Sequence, residues 1–190
     1  RNEVEHQVFV CSQTMACMCY ETLKRYKEAY LLAKKLMSGS FTEKEKKDVA
    51  HLYAMNGYMY ATSFMHGNNR QLVKARSILE EIMPYADGKV REYALPKIPL
   101  SWYFEGAEYH LSQQYDKALA CYQNALKSFI ELGKTDDEIS VLRHIAEIKE
   151  ILYDVTGSEN AYKQALYLSR QTGKPDVQME ILKELWKIGK

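Results

Sequence analysis

Charge of one sign is what this chain most lacks. Its 26 lysines and arginines stand against 25 acidic residues, a net charge of +1. That balance removes the electrostatic ground for binding nucleic acid or a membrane surface. Long apolar runs are missing too, although apolar residues make up 46% of the chain. The longest run is a few residues, too short to span a bilayer. No signal peptide is visible; because the chain begins at Arg1, that absence says little about a parent protein. Glycine and proline number only nine and four and fall in clusters, which suits helices joined by short connections. No stretch sustains the period of two that marks a strand. HExxH, G-x-S-x-G and P-loop patterns are absent, so no enzyme constellation is present.

Four cysteines and five histidines carry no metal spacing. Cys11, Cys17 and Cys19 lie close together, but on a helix at ~100° per residue Cys17 and Cys19 point ~200° apart. They cannot chelate one ion or pair with each other from an intact helix. The cysteines read as small packing residues, and unpaired thiols lean towards a reducing compartment. His144 and Glu147, three apart, read as a common helix-face pair. Most of the fifteen tyrosines recur at helix-packing intervals and are assigned to the core.

What is present is a recurring spacing. Trp102 to Ala125 reads WYFEGAEYHLSQQYDKALACYQNA. The large residues Trp102, Tyr109, Tyr115 and Tyr122 and the small residues Gly106, Ala118 and Ala125 follow helical gaps of three and four. Small residues leave holes that rings can fill, so the segment reads as two closely packed helices with a break near Ser112 to Tyr115. Shifted by forty, CYQNALKSFIELGKTD lies over AYKQALYLSRQTGKPD: Tyr122 meets Tyr162, Ala125 Ala165, Leu126 Leu166, Gly133 Gly173, Lys134 Lys174 and Asp136 Asp176. A small first-helix residue recurs at Cys17, Gly57, Gly106 and Ala146, and a small second-helix residue at Ala29, Ala75, Ala118 and Ser158. Such self-similarity marks a repeat architecture. Four helix pairs follow, the second carrying extra residues around HGNNRQ and a longer exit, PYADGKVREYALPKIP.

The register predicts nine helices, at 3–24, 26–38, 43–66, 70–84, 98–113, 115–132, 137–154, 158–171 and 176–188. Ser40 with Glu43, and Thr135 with Glu138, have capping-box spacing. Gly39, Gly67, Gly133 and Gly173 follow helix ends as left-handed caps. Pro99 and Pro175 fall in first helical turns. The last helix stands apart, because the shift of forty sets Trp186 on the small slot of Ala146. Either it changes register, or it caps the fourth pair with Leu182, Leu185, Trp186 and Ile188, Trp186 being the anchor. We favour the cap, since the end of a solenoid otherwise exposes apolar surface.

These residues resemble the tetratricopeptide repeat family, whose signature sets Trp, Leu-Gly and Tyr in a first helix and Ala, an aromatic and Ala in a second. The third pair carries Trp102, Gly106, Tyr109, Tyr115, Ala118, Tyr122 and Ala125, with Glu105 where the family has Leu. The others match more loosely: Gln13 and Tyr53 stand at the Trp slot and Lys149 at the Tyr slot. The resemblance implies an all-α, right-handed α-solenoid of four such pairs plus a C-terminal capping helix. It would be a single array over 1–190, with repeats at roughly 3–38, 43–84, 98–132 and 137–171 and a final helix at 176–188.

It also implies a concave groove lined by first helices. Carried over in register, its partner-binding residues are Met18, His51, Tyr58, Tyr103, His110, Arg143 and Glu147, with Ala54 and Ala61 on the same face. The basic clamp with which co-chaperone members hold a C-terminal carboxylate is missing; its slots hold His51, Ala54, Tyr58, Tyr103 and Ala107. The period near forty, against about thirty-four for the standard repeat, resembles sensor regions of bacterial histidine kinases and related signalling proteins. The expected function is a non-enzymatic protein- or peptide-binding module, the sensory or interaction region of a bacterial signal-transduction protein. The alternative is a scaffold or assembly adaptor working through its convex surface or ends. No cofactor, metal, nucleic acid or membrane insertion is expected. The compartment is periplasmic if the sensor resemblance holds and cytoplasmic otherwise.

Overall fold

The structure is a computed structural model that describes residues 3–67 and 70–189, so part of the HGNNRQ stretch lies outside it. Among the described residues are ten helices and no strand. They are α1 (Glu3–Thr22), α2 (Tyr26–Leu36), α3 (Glu43–Ser63), α4 (Leu72–Ile82), α5 (Gly88–Ala94), α6 (Lys97–Leu111), α7 (Tyr115–Glu131), α8 (Thr135–Ile151), α9 (Val155–Gln171) and α10 (Pro175–Ile188). The all-α class is as expected. Nine helices lie at their expected places, and α5 is a tenth, formed inside the long exit segment. Its buried side chains, Val90 and Ala94, stand one turn apart, the spacing that gives even a short helix an apolar face. No helix of the described residues is long and apolar enough to cross a membrane.

One turn joins most helices. Arg25, Gln114, Lys134, Asp154 and Lys174 each donate a backbone N–H to the carbonyl of Tyr20, Tyr109, Phe129, Lys149 and Ser169, at 2.8–3.2 Å. This is the bond that closes a Schellman motif. The residue before each donor is left-handed: Lys24, Gln113, Gly133, Tyr153 and Gly173, with φ from 56° to 67°. Gly133 and Gly173 adopt it freely for want of a Cβ. Lys24, Gln113 and Tyr153 do so at a cost of roughly 1–2 kcal/mol each. Gly39, expected as a left-handed cap, is not left-handed.

The caps also differ from the expected ones. The capping box of α3 pairs Thr42 with Glu45, not Ser40 with Glu43: the Thr42 backbone N–H donates to Glu45 Oε2 at 2.8 Å and the Glu45 N–H to Thr42 Oγ1 at 3.4 Å. Thr135 does not cap α8, because the helix already includes it and Lys134 precedes it. At α9 the cap is Asp154, whose Oδ1 accepts from the Gly157 N–H at 2.9 Å. Pro175 is the first residue of α10, where its missing N–H is no loss.

Contacts divide the chain into two compact units, Arg1–Ile98 and Pro99–Lys190. In the first, α1 packs on α2, α2 on α3, α3 on α4, and α5 on α3. In the second, α7, α8, α9 and α10 pack in succession. The small slots sit where the spacing places them. Cys17, Gly57, Gly106 and Ala146 are buried, and so are Ala29, Ala75, Ala118 and Ser158. Gly57 faces Ile82 and Tyr30, and Gly106 faces the Tyr122 ring. These are tetratricopeptide-like hairpins, holes on one helix filled by rings or branched chains of the next.

Two assignments need correction. The packing role holds for Cys17 and Cys121, which are buried, but Cys11 and Cys19 are exposed. The Cys17 thiol faces the Ala29 carbonyl at 3.8 Å, and burial, helped by the charge of Glu21, pushes its pKa up to about 11. The tyrosines divide likewise: Tyr30, Tyr53, Tyr122 and Tyr162 are core, while Tyr85, Tyr93, Tyr153 and Tyr167 are exposed.

The last helix packs on α9, by a face that keeps Leu185 and Ile188 of the expected one but not Leu182 or Trp186. Ile181 is fully buried among Ile148, Tyr162 and Leu166, with Val177, Leu185 and Ile188 partly buried beside it. Trp186 is 65% exposed and Leu182 43%, so Trp186 is not the anchor. The register explains this. Positions 177, 181, 185 and 188 follow the three-and-four rhythm of one helix face, and Trp186 lies off it.

Candidate functional site

In the second unit, α6 and α8 bring four polar side chains together. The Tyr103 hydroxyl lies 3.0 Å from His144 Nε2. His144 Nδ1 lies 2.9 Å from Glu147 Oε2, the pair that a helix makes at i,i+3. The His144 ring stacks on Tyr122 with centroids 5.4 Å apart, and His110 meets it edge-on at 6.3 Å. Ligand atoms of His110, His144 and Glu147 all lie within 4.8 Å of one another. The hydrogen bond from His144 outweighs burial and holds the Glu147 carboxyl below its ordinary pKa. Burial, then the charges of Glu147 and Asp137, push the Tyr103 phenol up. Arg143 donates to Glu180 Oε2 of α10 at 2.8 Å.

Beside this cluster lies an open pocket of about 620 Å³, lined by Arg143, Glu147, Glu150, Ile151, Tyr153, Tyr162 and Glu184. The structure thus brings Tyr103, His110 and Glu147 to one place, with Arg143 at the pocket next to them. Sequence reading missed His144 as the residue that joins them. The forty-residue shift aligns Tyr103 with Arg143, one position short of its actual partner, so periodicity carried a near signal but not the contact.

In the first unit, Met18 is exposed on α1. The face of α3 that carries His51 and Tyr58 is met by the exit segment. His51 Nδ1 lies 2.9 Å from Asp87 Oδ1. The Tyr58 phenol is raised by burial and then by neighbouring Tyr93 of α5. Ala54 and Ala61, expected on that same face, are fully buried and offer a ligand no surface.

The polar centre of this unit is Glu81 on α4. Its carboxylate accepts from Tyr30 Oη at 2.9 Å and from Tyr53 Oη, and pairs with Lys34 Nζ at 2.5 Å. Burial pushes the Glu81 pKa up, but the Lys34, Tyr53 and Tyr30 bonds outweigh it and the net shift is downward. A lowered folded pKa gives stability that is present above the unfolded value of about 4.3. It is lost as pH falls through the folded value. Thermal melts taken down through the carboxylate range check this: wild type is expected to lose more stability on acidification than Glu81→Gln, and parallel curves would refute it.

No protein-family model matches the chain, and no curated protein does. Among solved structures, a variant of a putative kinesin light chain from Podosopora anserina with nearly identical TPR-like repeats is 13% identical, over 96% of this chain and 86% of that one, with a TM-score of 0.44. The yeast histone chaperone Hif1, described as a scaffold protein recruiting protein complexes to core histones, is 9% identical over 100% and 98%, with a TM-score of 0.47. BtubC (BKLC) from P. vanneervenii is 13% identical over 91% and 73%, with a TM-score of 0.40. At these TM-scores the likenesses carry no argument of their own, and the architecture stands on the hairpins described above.

Proposed function

We propose that the chain is a non-enzymatic module that binds a protein or peptide, and that in the second unit the binding face is the pocket beside α8. The observation that carries this is the lining of the pocket: one guanidinium, Arg143, against three carboxylates, Glu147, Glu150 and Glu184, with the rings of Tyr153 and Tyr162. Tyrosine and arginine are enriched where proteins meet, and an acidic pocket favours a basic ligand. The partner is therefore a peptide segment carrying Lys or Arg next to an apolar side chain.

Selection from a displayed random-peptide library tests it. Basic peptides are expected to be enriched and to lose affinity at least about tenfold when Glu150→Lys and Glu184→Lys are combined, each reversed charge costing on the order of 1 kcal/mol or more at a rim. Peptides that bind equally well to that variant would overturn the assignment.

A second reading has its own observation. On the opposite side of α8, a depression of about 610 Å³ is lined by Leu126, Ile130, Leu142, Tyr167 and Leu168 among others. Ile130 and Tyr167 are mostly exposed. An adaptor working through its second helices would use this depression, and its ligands would be lost on Ile130→Lys with Tyr167→Lys instead.

We further place the chain in a bacterial signal-transduction protein, as the sensory or interaction region of a histidine kinase or regulator. The period near forty and the tract YKQALYLSRQTGKPD support this. Sequencing the gene on either side of the segment tests it, a transmembrane helix with a kinase or DNA-binding domain being the expected finding.

A further inference from the structure

The geometry points to a divalent transition-metal site, of the kind that takes Zn²⁺, formed by His110 of α6 with His144 and Glu147 of α8. Two imidazoles and a carboxylate are a ligand set suited to zinc, leaving a fourth position open to water or to a ligand group. Three features of the molecule support it.

The first is distance. The candidate ligand atoms lie within 4.8 Å of one another. Tetrahedral ligands held at about 2.0–2.1 Å from zinc stand roughly 3.3 Å apart. His144 Nδ1 and Glu147 Oε2, now 2.9 Å apart, open by a few tenths of an ångström, and side-chain torsions of His110 close the remainder. The second is orientation. His144 is fixed by stacking on the buried Tyr122 ring, so its Nδ1 points at the carboxylate without needing to be ordered by the metal. Its other nitrogen faces Tyr103 Oη at 3.0 Å. When Nδ1 gives its lone pair to a cation, the imidazole proton resides on Nε2 and donates to the phenol oxygen, the outer bond that ligating histidines make. The third is charge and access. All three side chains are half-buried, within reach of solvent but shielded from it. The neighbouring guanidinium of Arg143 is paired with Glu180, and Glu150 and Glu184 add negative charge to the adjoining pocket.

Calorimetric titration of the chelator-treated full chain with Zn²⁺ tests the assignment. One ion per chain is expected to bind. Glu147→Gln and His110→Asn, both of half-buried side chains, should each weaken binding by more than about tenfold, and Tyr103→Phe by about tenfold through loss of the outer bond. Circular dichroism of each variant separates loss of the site from loss of the fold. Substituting Co²⁺ separates this site from the exposed thiols of Cys11 and Cys19. Absorption from ligand-field bands alone is the expected result, and a thiolate charge-transfer band would place the metal on the cysteines and overturn the proposal. No binding by the wild-type chain, or equal binding by the folded Glu147→Gln and His110→Asn variants, would overturn it as well.

Discussion

Ile181→Ala is expected to lower the stability of the chain by about 2–5 kcal/mol, and by more than Trp186→Ala, whose partly buried ring is worth roughly 1–2 kcal/mol. The contrast runs against side-chain size. Tryptophan offers the larger apolar surface, but energy follows the area removed from water, and Trp186 keeps 65% of its surface exposed whereas Ile181 keeps none. Ile181 reaches into the cluster of Ile148, Tyr162 and Leu166. Truncating it leaves a cavity walled by α8 and α9 that neither helix can fill without leaving the other. Denaturant unfolding of both variants measures the difference. Equal losses, or a larger loss at Trp186, would mean that Trp186 and not Ile181 anchors α10.

Gly57→Leu is expected to cost about 1–3 kcal/mol, the usual penalty of overpacking, and to exceed the cost of Gly106→Leu. A Cβ at position 57 would come within 2.4 Å of Ile82 Cγ2; one at position 106 would meet two carbons of the Tyr122 ring at 2.9 Å and Cys121 Cβ at 3.2 Å. Ile82 is fully buried, and its branched chain has one strongly preferred rotamer in a helix, so it cannot swing aside. The Tyr122 ring is buried as well, but its carbons stand at 2.9 Å rather than 2.4 Å, which makes the contact at 106 the softer of the two. Glycine inside a helix already costs about 1 kcal/mol against alanine, so Ala at 106 gains back in propensity part of what it loses in contact. Melting temperatures of the two leucine variants check the order. An unchanged value at 57 would remove the close approach of α3 and α4 from the account of the fold.

The hairpins were legible because their signal is short-range and periodic. A small residue at Cys17, Gly57, Gly106 and Ala146 and another at Ala29, Ala75, Ala118 and Ser158 fix which faces meet, and all eight are buried. The turns were half legible: Gly133 and Gly173 announce a left-handed residue, but Lys24, Gln113 and Tyr153 take the same conformation with side chains that give no such notice. The seven-residue α5 was missed because a single buried pair, Val90 and Ala94, is too little periodicity to separate from a connection. At the candidate site, the sequence offers His144 and Glu147 only as a common helix-face pair. Its partners His110 and Tyr103 are on α6, and how far a helix is rotated against its neighbour is set by packing that no single sequence displays.

Helix α5 also changes what an outside molecule would meet on α3. Because α5 is joined to that helix through the same chain and lies on the face bearing His51 and Tyr58, any peptide drawn to the face competes with a tethered occupant. A weak visitor loses to it. A peptide drawn to that face would first have to displace α5.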